Sequence, residues 1–217
     1  MIAMAQRKVL LFAKAPVAGR VKTRLAPALG EDGTLTLYRH MLEHMIHRLV
    51  GSGIAAELWL DDPGHPFFCQ WSDQPMISFH RQSLGDLGAR MSLAFEQRLT
   101  AKADEAEQRV VAIGADCPFI DEAYLEQAFE VLEAGSDCVL GPAEDGGYVL
   151  LGLRCYEPSI FEKIDWGSCR VLQQTRARLE LAGLSYSELS QLSDIDEPED
   201  LAALKKNRTF SHWLAAD

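Results

Sequence analysis

Lys8-Val9-Leu10-Leu11-Phe12-Ala13 runs directly into Lys14-Ala15-Pro16-Val17-Ala18-Gly19-Arg20-Val21-Lys22-Thr23-Arg24-Leu25. The first stretch is a short apolar run without polar alternation, the pattern of a strand covered on both faces in a parallel sheet. Pro16 ends it, and Gly19 allows the backbone to turn sharply or approach a ligand closely. Lys14, Arg20, Lys22 and Arg24 then place four cations within eleven residues, in a chain whose formal net charge is -11. Cations gathered in a loop at the carboxyl end of a buried strand are what phosphate binding requires. The plainer alternative is a solvated basic loop.

At 217 residues, 47% of them hydrophobic, the chain fits one domain, residues 1–217, with a substantial core. Its acidic balance argues against nucleic acid or an anionic membrane as the main partner. A small anionic ligand held by the basic loop remains compatible with it. Cys69, Cys117, Cys138, Cys155 and Cys169 are odd in number and scattered, with no CxxC pair. They read as reduced thiols of a cytoplasmic protein. The apolar run after Arg7-Lys8 is too short for a signal-peptide core or a membrane span.

Beyond the basic loop, apolar spacing predicts a helix from Glu31 to about Val50, stopped by Gly51 and Gly53. His40, His44 and His47 share one side of it. Three histidines so spaced can bind a metal, but no acidic ligand lies close in sequence. Strands follow at 54–60 and 76–79. Gln82-Ser83-Leu84-Gly85-Asp86-Leu87-Gly88-Ala89-Arg90-Met91 is a glycine-containing loop entering a helix that continues to about Ala101; Asp86 is placed as N-cap, and Gly88 with Arg90 makes a ligand-facing loop the alternative to a plain helix start. A charged surface connection spans 102–108. Phe67, Phe68 and Trp71 are expected to pack rather than serve a cofactor.

Val110-Val111-Ala112-Ile113-Gly114 is another buried strand, and Asp116 lies just past it. A carboxylate at that sheet edge can hold a divalent cation bridging phosphates. Asp121 is better placed to cap the helix of 122–133. The six-residue turn between strands 137–141 and 148–153 is too short for a helical crossover, so that pair should be antiparallel. A helix over about 168–182 and a weak strand at 184–189 follow. Asp194 and Asp196 stand at i and i+2 before a last short helix and should point the same way. Glu199 and Asp200 read as an acidic helix entry.

Strand and helix alternate from residue 8 to 141, giving a three-layer α/β/α sandwich with a mostly parallel sheet and one antiparallel element. The basic loop, Asp116 and Asp194/Asp196 converge on one edge of that sheet. Cations with separated carboxylates suit a metal–phosphate complex. No Gly-x-x-x-x-Gly-Lys-Ser/Thr motif is present, which excludes a P-loop NTPase.

The segments FAKAPVAGRVKTRL, QSLGDLGARM, GADCP, GPAEDGGYVLLGL and DIDEPEDL, in this order, resemble the DUF2064 group of bacterial proteins. That group belongs to the nucleotide-diphospho-sugar transferase superfamily with the GT-A fold, and its members are often described as glycosyltransferases. The first loop is also similar to that of molybdenum-cofactor and 2-phospho-lactate guanylyltransferases. The resemblance implies a nucleotide or nucleotide-sugar ligand, Mg²⁺ or Mn²⁺, and an unidentified small-molecule acceptor, with the chain alone or as a homodimer. It places Ala13, Lys14, Gly19, Arg20, Lys22 and Arg24 at the phosphates, and Gln82, Gly85 and Asp86 near the base or ribose. Asp145, Gly146, Gly147, Tyr148 and Trp166 would border the acceptor, and Asp116 and Asp196 would hold the metal. Lys22, Arg24 and Asp116 would carry the chemistry. One departure matters: the Asp-x-Asp usual in glycosyltransferases of this fold is here Asp116-Cys117-Pro118. The second carboxylate must come from elsewhere, which favours nucleotidyl transfer over glycosyl transfer. A non-catalytic nucleotide-binding regulator is the third reading.

Overall fold

The computed structural model describes residues 6–100 and 107–214. Seven strands form one sheet: β1 (Gln6–Ala13), β2 (Ala55–Leu60), β3 (Ile77–Arg81), β4 (Gln108–Gly114), β5 (Cys138–Pro142), β6 (Tyr148–Leu153) and β7 (Tyr186–Glu188). Their order is β3-β2-β1-β4-β6-β5-β7. β6 runs antiparallel to both neighbours, as the short 143–147 connection requires, and every other pairing is parallel.

Among the described residues four α-helices join the strands, α1 (Ala26–Ser52), α2 (Leu87–Leu99), α3 (Glu122–Glu133) and α4 (Val171–Leu181), and a fifth, α5 (Leu201–Lys206), follows β7. α1 is broken near its start, where Gly30 takes φ 72° and ψ 169°, so the regular helix begins at Glu31. Asp86 caps α2 by accepting the Ala89 N–H at 2.8 Å, and Asp121 caps α3 through the Tyr124 N–H at 2.8 Å. Most of the charged connection expected over 102–108 lies outside the described residues.

The unbroken apolar strands are explained by burial on both faces. Val9 and Leu11 join the layer of α1 and α3, while Leu10 joins the layer of α2 and α4. Val111 and Ile113 against Val110 and Ala112 repeat the division in β4. Among the described residues no helix is long and apolar enough to cross a membrane.

The histidines of α1 are packing groups. His44 stands edge-on to Phe210 and Trp213, His40 lies 6.0 Å from Trp213, and His47 contacts Trp71. Burial first, then neighbouring Arg48 and His47, lowers the His44 pKa to about 4, so the ring is neutral. Phe68 and Trp71 are buried, and Phe67 packs against them.

β1 lies between β2 and β4, so the strand order reverses there. The carboxyl ends of β1 and β4 are level, with Phe12 opposite Gly114. Open α/β sheets bind ligands in the crevice outside such a reversal.

Candidate functional site

A cavity of 340 Å³ opens at that crevice. The loop after β1 forms one wall. Tyr38, on α1, fixes its start: the hydroxyl donates to the Lys14 carbonyl at 2.9 Å and accepts the Lys14 N–H at 3.0 Å. Buried Val21 and Leu25 anchor its far end. Between these two, Lys22 takes φ 46° and ψ 39°, a left-handed conformation uncommon for a residue with a side chain. That backbone aims Lys22 inward, leaving its side chain 8% exposed.

The loop after β4 supplies the facing wall. Gly114 carries no Cβ, which would fall 2.2 Å from Asp116 Oδ1, so this glycine makes room for the carboxylate. The third wall comes from residues 189–196. This segment runs back beside β5, its Leu192 N–H donating to Pro142 O at 3.0 Å. The Ile195 N–H then reaches Asp116 O at 2.9 Å, which brings Asp194 and Asp196 to the Asp116 loop. Asp200 holds the end of the segment, its Oδ2 accepting the backbone N–H groups of Asp196 (2.9 Å) and Glu197 (2.7 Å).

The charges meet in the middle. Lys22 Nζ lies 3.2 Å from Asp196 Oδ1 and 3.5 Å from Asp116 Oδ2. Arg24 Nη1 donates to Asp196 Oδ2 at 2.8 Å and to Glu197 Oε1 at 3.0 Å from the solvent side. Burial alone would lower the Lys22 pKa; Asp116 and Asp196 together more than offset it, and the pKa is raised. Lys22 is therefore an ammonium. Asp194 also lines the cavity, and burial, followed by repulsion from Asp116 and Asp145, pushes its pKa up to about 6. Burial and then Asp116 push the neighbouring Cys117 thiol up to about 12, which makes it a poor nucleophile.

Of the positions expected from sequence, Ala13, Lys14, Lys22, Gln82, Asp116, Tyr148 and Asp196 line the cavity. Gln82 does so with its amide engaged: Nε2 donates to Ala13 O (3.0 Å) and Trp59 O (2.8 Å), and Oε1 accepts from Arg90 (3.1 Å). It ties the ends of β1 and β2 together. Gly19, Arg20 and Arg24 lie on the basic loop away from the lining, and Gly85 and Asp86 stand beside it at the α2 start. The carboxylate of Asp86 is engaged as the cap. Asp145, Gly146 and Gly147 form the β5–β6 turn, where Asp145 Oδ1 accepts the Gly147 N–H at 2.8 Å. Trp166 packs over Gly88 and edge-on to Tyr148, outside the lining.

The sequence marks Arg90 with the glycines of the loop entering α2, and Arg90 lines the cavity; it marks Asp200 only as part of an acidic helix entry, and it does not mark Tyr38 at all. Tyr38 falls within the apolar stripe of α1, and nothing local marks its hydroxyl. Asp200 had a signal, the spacing from Glu197 to Asp200 that forms a capping box.

The reversed strand order and the crevice outside it are those of a ligand-binding α/β domain, and the fold is of the nucleotide-diphospho-sugar transferase type. A structure from Desulfovibrio desulfuricans G20, named for that class, matches with TM-score 0.82 and 31% identity over 95% of this chain and 90% of its own. The chain belongs to the DUF2064 family, described as an uncharacterized protein conserved in bacteria, whose model matches residues 45–168. A protein of Rubrobacter xylanophilus named phosphoenolpyruvate guanylyltransferase is 28% identical over 204 residues, 90% of this chain and 93% of that protein. A CMP:2-keto-3-deoxy-manno-octonic acid synthetase complexed with CTP shares the fold, with TM-score 0.55 and 11% identity over 93% of this chain and 97% of its own.

Proposed function

We propose that the protein is a metal-dependent nucleotidyltransferase acting on a small phosphorylated acceptor. The observation that carries this reading is the meeting of Lys22 and Arg24 with Asp116 and Asp196 at the reversal point of the sheet. Lys22 and Arg24 bind the phosphates of a nucleoside triphosphate. An acceptor phosphate oxygen attacks the α-phosphorus and forms a new P–O bond. The bond from the α-phosphorus to the oxygen bridging it to the β-phosphate breaks, and pyrophosphate leaves with the electron pair. Negative charge then grows on the leaving group, and the two cations stabilise it most at that point.

The donor set fits Mg²⁺ or Mn²⁺. Asp116, Asp194 and Asp196 present hard oxygen donors to one cavity, and such ions take one or two carboxylates together with phosphate oxygens. Among the described residues no three such side chains are grouped closely enough to hold an ion by themselves. Asp116 and Asp196 would hold the ion. When bound, it neutralises phosphate charge and orients the reacting groups.

The guanylyltransferase name of the Rubrobacter relative supports nucleotidyl transfer, and phosphoenolpyruvate in that name supports a phosphorylated acceptor. A second reading, glycosyl transfer from a nucleotide-sugar, is favoured by the name of the 31% identical structure. The two differ in leaving group. The protein is incubated with nucleoside triphosphates or nucleotide-sugars, Mg²⁺ or Mn²⁺, and a metabolite extract, and pyrophosphate and nucleoside diphosphates are quantified. Pyrophosphate from a triphosphate is expected. Nucleoside diphosphate from a nucleotide-sugar, with no pyrophosphate, would establish the second reading, and release of neither with binding retained would remove the protein from the enzymes.

A further inference from the structure

Lys22 stands where a divalent ion shared by Asp116 and Asp196 would feel it most. Its ammonium is 3.2 Å from one carboxylate and 3.5 Å from the other, and little of its side chain reaches water. The loop backbone leaves the residue small latitude. Lys22 sits in the left-handed region, its carbonyl accepts the Leu25 N–H at 2.9 Å, and buried Val21 precedes it. Arg24 cannot take over this position, because it reaches Asp196 from solvent with its side chain 62% exposed.

A dication between Asp116 and Asp196 would lie within a few ångströms of the ammonium. The ammonium is nearly dry while Asp116 and Asp196 keep side-chain exposures of 43% and 38%, so water screens the repulsion only in part, and ion and ammonium compete for the same carboxylate oxygens. The ammonium cannot simply withdraw, because a buried cation without a partner is strongly disfavoured. It leaves the carboxylates only when another anion receives it. The phosphates of a nucleotide are that anion.

Building on the nucleotide site proposed above, we propose that Lys22 is an internal counter-cation that makes metal binding conditional on the nucleotide. Without nucleotide, Lys22 neutralises the carboxylates and keeps the ion out. With it, the ammonium transfers to the phosphates and the carboxylates become free for the ion. The coupling is reciprocal, so the ion strengthens nucleotide binding by the same factor.

The test measures Mn²⁺ affinity in the absence of nucleotide, by the electron paramagnetic resonance signal of free Mn²⁺. Wild type is compared with Lys22→Met and Lys22→Gln, and with Asp116→Asn added to each. Both single variants should bind Mn²⁺ alone at least tenfold more tightly than wild type, and Asp116→Asn should abolish the gain. Mn²⁺ should also raise the melting temperature of the variants more than that of wild type. Equal or weaker Mn²⁺ affinity in the variants would overturn the proposal. If neither variant folds without metal, recovery of folding on adding Mn²⁺ supports it and failure to recover overturns it. The two proposals fail in distinguishable ways. A gain in Mn²⁺ affinity with no nucleotide bound by wild type keeps Lys22 as the group that competes with the ion but overturns its release by nucleotide, together with the nucleotide site. Metal-dependent nucleotide binding by wild type, with no gain in the variants, keeps the nucleotide site and overturns the counter-cation.

Discussion

One hydroxyl, that of Tyr38, satisfies both backbone groups of Lys14, donating to its carbonyl and accepting its N–H. The helix α1 thereby sets the point at which the chain leaves β1. Tyr38→Phe removes both bonds and leaves the Lys14 backbone without those partners. At about 1 kcal/mol per hydrogen bond, stability should fall by roughly 1–2 kcal/mol. Nucleotide affinity should fall with it, because the basic loop starts there. Denaturant unfolding and calorimetry check both; unchanged values in the two measurements would show that the hydroxyl does not set the loop.

Arg24→Ala should separate binding from stability. Its ion pairs with Asp196 and Glu197 are on the surface and contribute about 0–1 kcal/mol. A charge-assisted contact to phosphate contributes about 1.5–3 kcal/mol, so nucleotide affinity should drop at least tenfold while the melting curve scarcely moves. Undiminished affinity by calorimetry would remove Arg24 from the phosphate site.

Asp200→Ala tests how Asp196 is held. Losing a carboxylate that accepts two N–H groups at a helix entry should cost about 1 kcal/mol. The larger effect should be on Mn²⁺ binding in the presence of nucleotide, because the Asp196 backbone is released. Asp200→Asn keeps an acceptor and should restore part of the loss. A variant that binds metal and nucleotide as wild type does would mean that Asp196 is positioned by other contacts.

Glu57 gives a pH-dependent signature away from the site. This buried β2 residue meets Lys8 at 2.8 Å, Arg98 at 2.7 Å and the Trp59 indole N–H at 3.2 Å. Burial would raise its pKa, but Lys8 and Arg98 outweigh burial, and the folded pKa lies below the ordinary 4.5. A depressed carboxylate contributes stability that is present above the unfolded pKa and lost as pH falls through the folded one. Melting temperature should therefore decline below about pH 4.5 more steeply in wild type than in Glu57→Gln. At neutral pH the variant should lose about 2 kcal/mol, less than the ~3–5 of a fully buried broken pair, because Lys8 and Arg98 keep some water. Parallel pH profiles for the two proteins would contradict the assignment.

What could be seen in the sequence was what is locally determined. Val9-Leu10-Leu11 lacks alternation because both faces of β1 are covered, and that absence is visible in one dimension. Asp86 and Asp121 were legible as caps because a cap bonds an N–H three residues away. The turn before Tyr148 was legible because six residues cannot cross a sheet. That Lys22, Asp116 and Asp196 share one sheet edge followed from where strands end. Their pairing did not, because it joins positions 94 and 174 residues apart. The histidines of α1 kept a metal alternative open because their partners, Phe210 and Trp213, lie near the far end of the chain.

The 189–196 segment also has a consequence for the order in which the molecule is made. Lys22 and Asp116 emerge from the ribosome well before Asp196, and the Ile195–Asp116 hydrogen bond that gathers the carboxylates cannot form earlier. Domains generally fold as units, and this crevice must wait for a segment that follows β7, the last strand. A nascent chain that has passed β6 still lacks one of the two counter-ions of its inward-pointing lysine. The crevice is then completed by the few residues that carry the chain on from the sheet's last crossover.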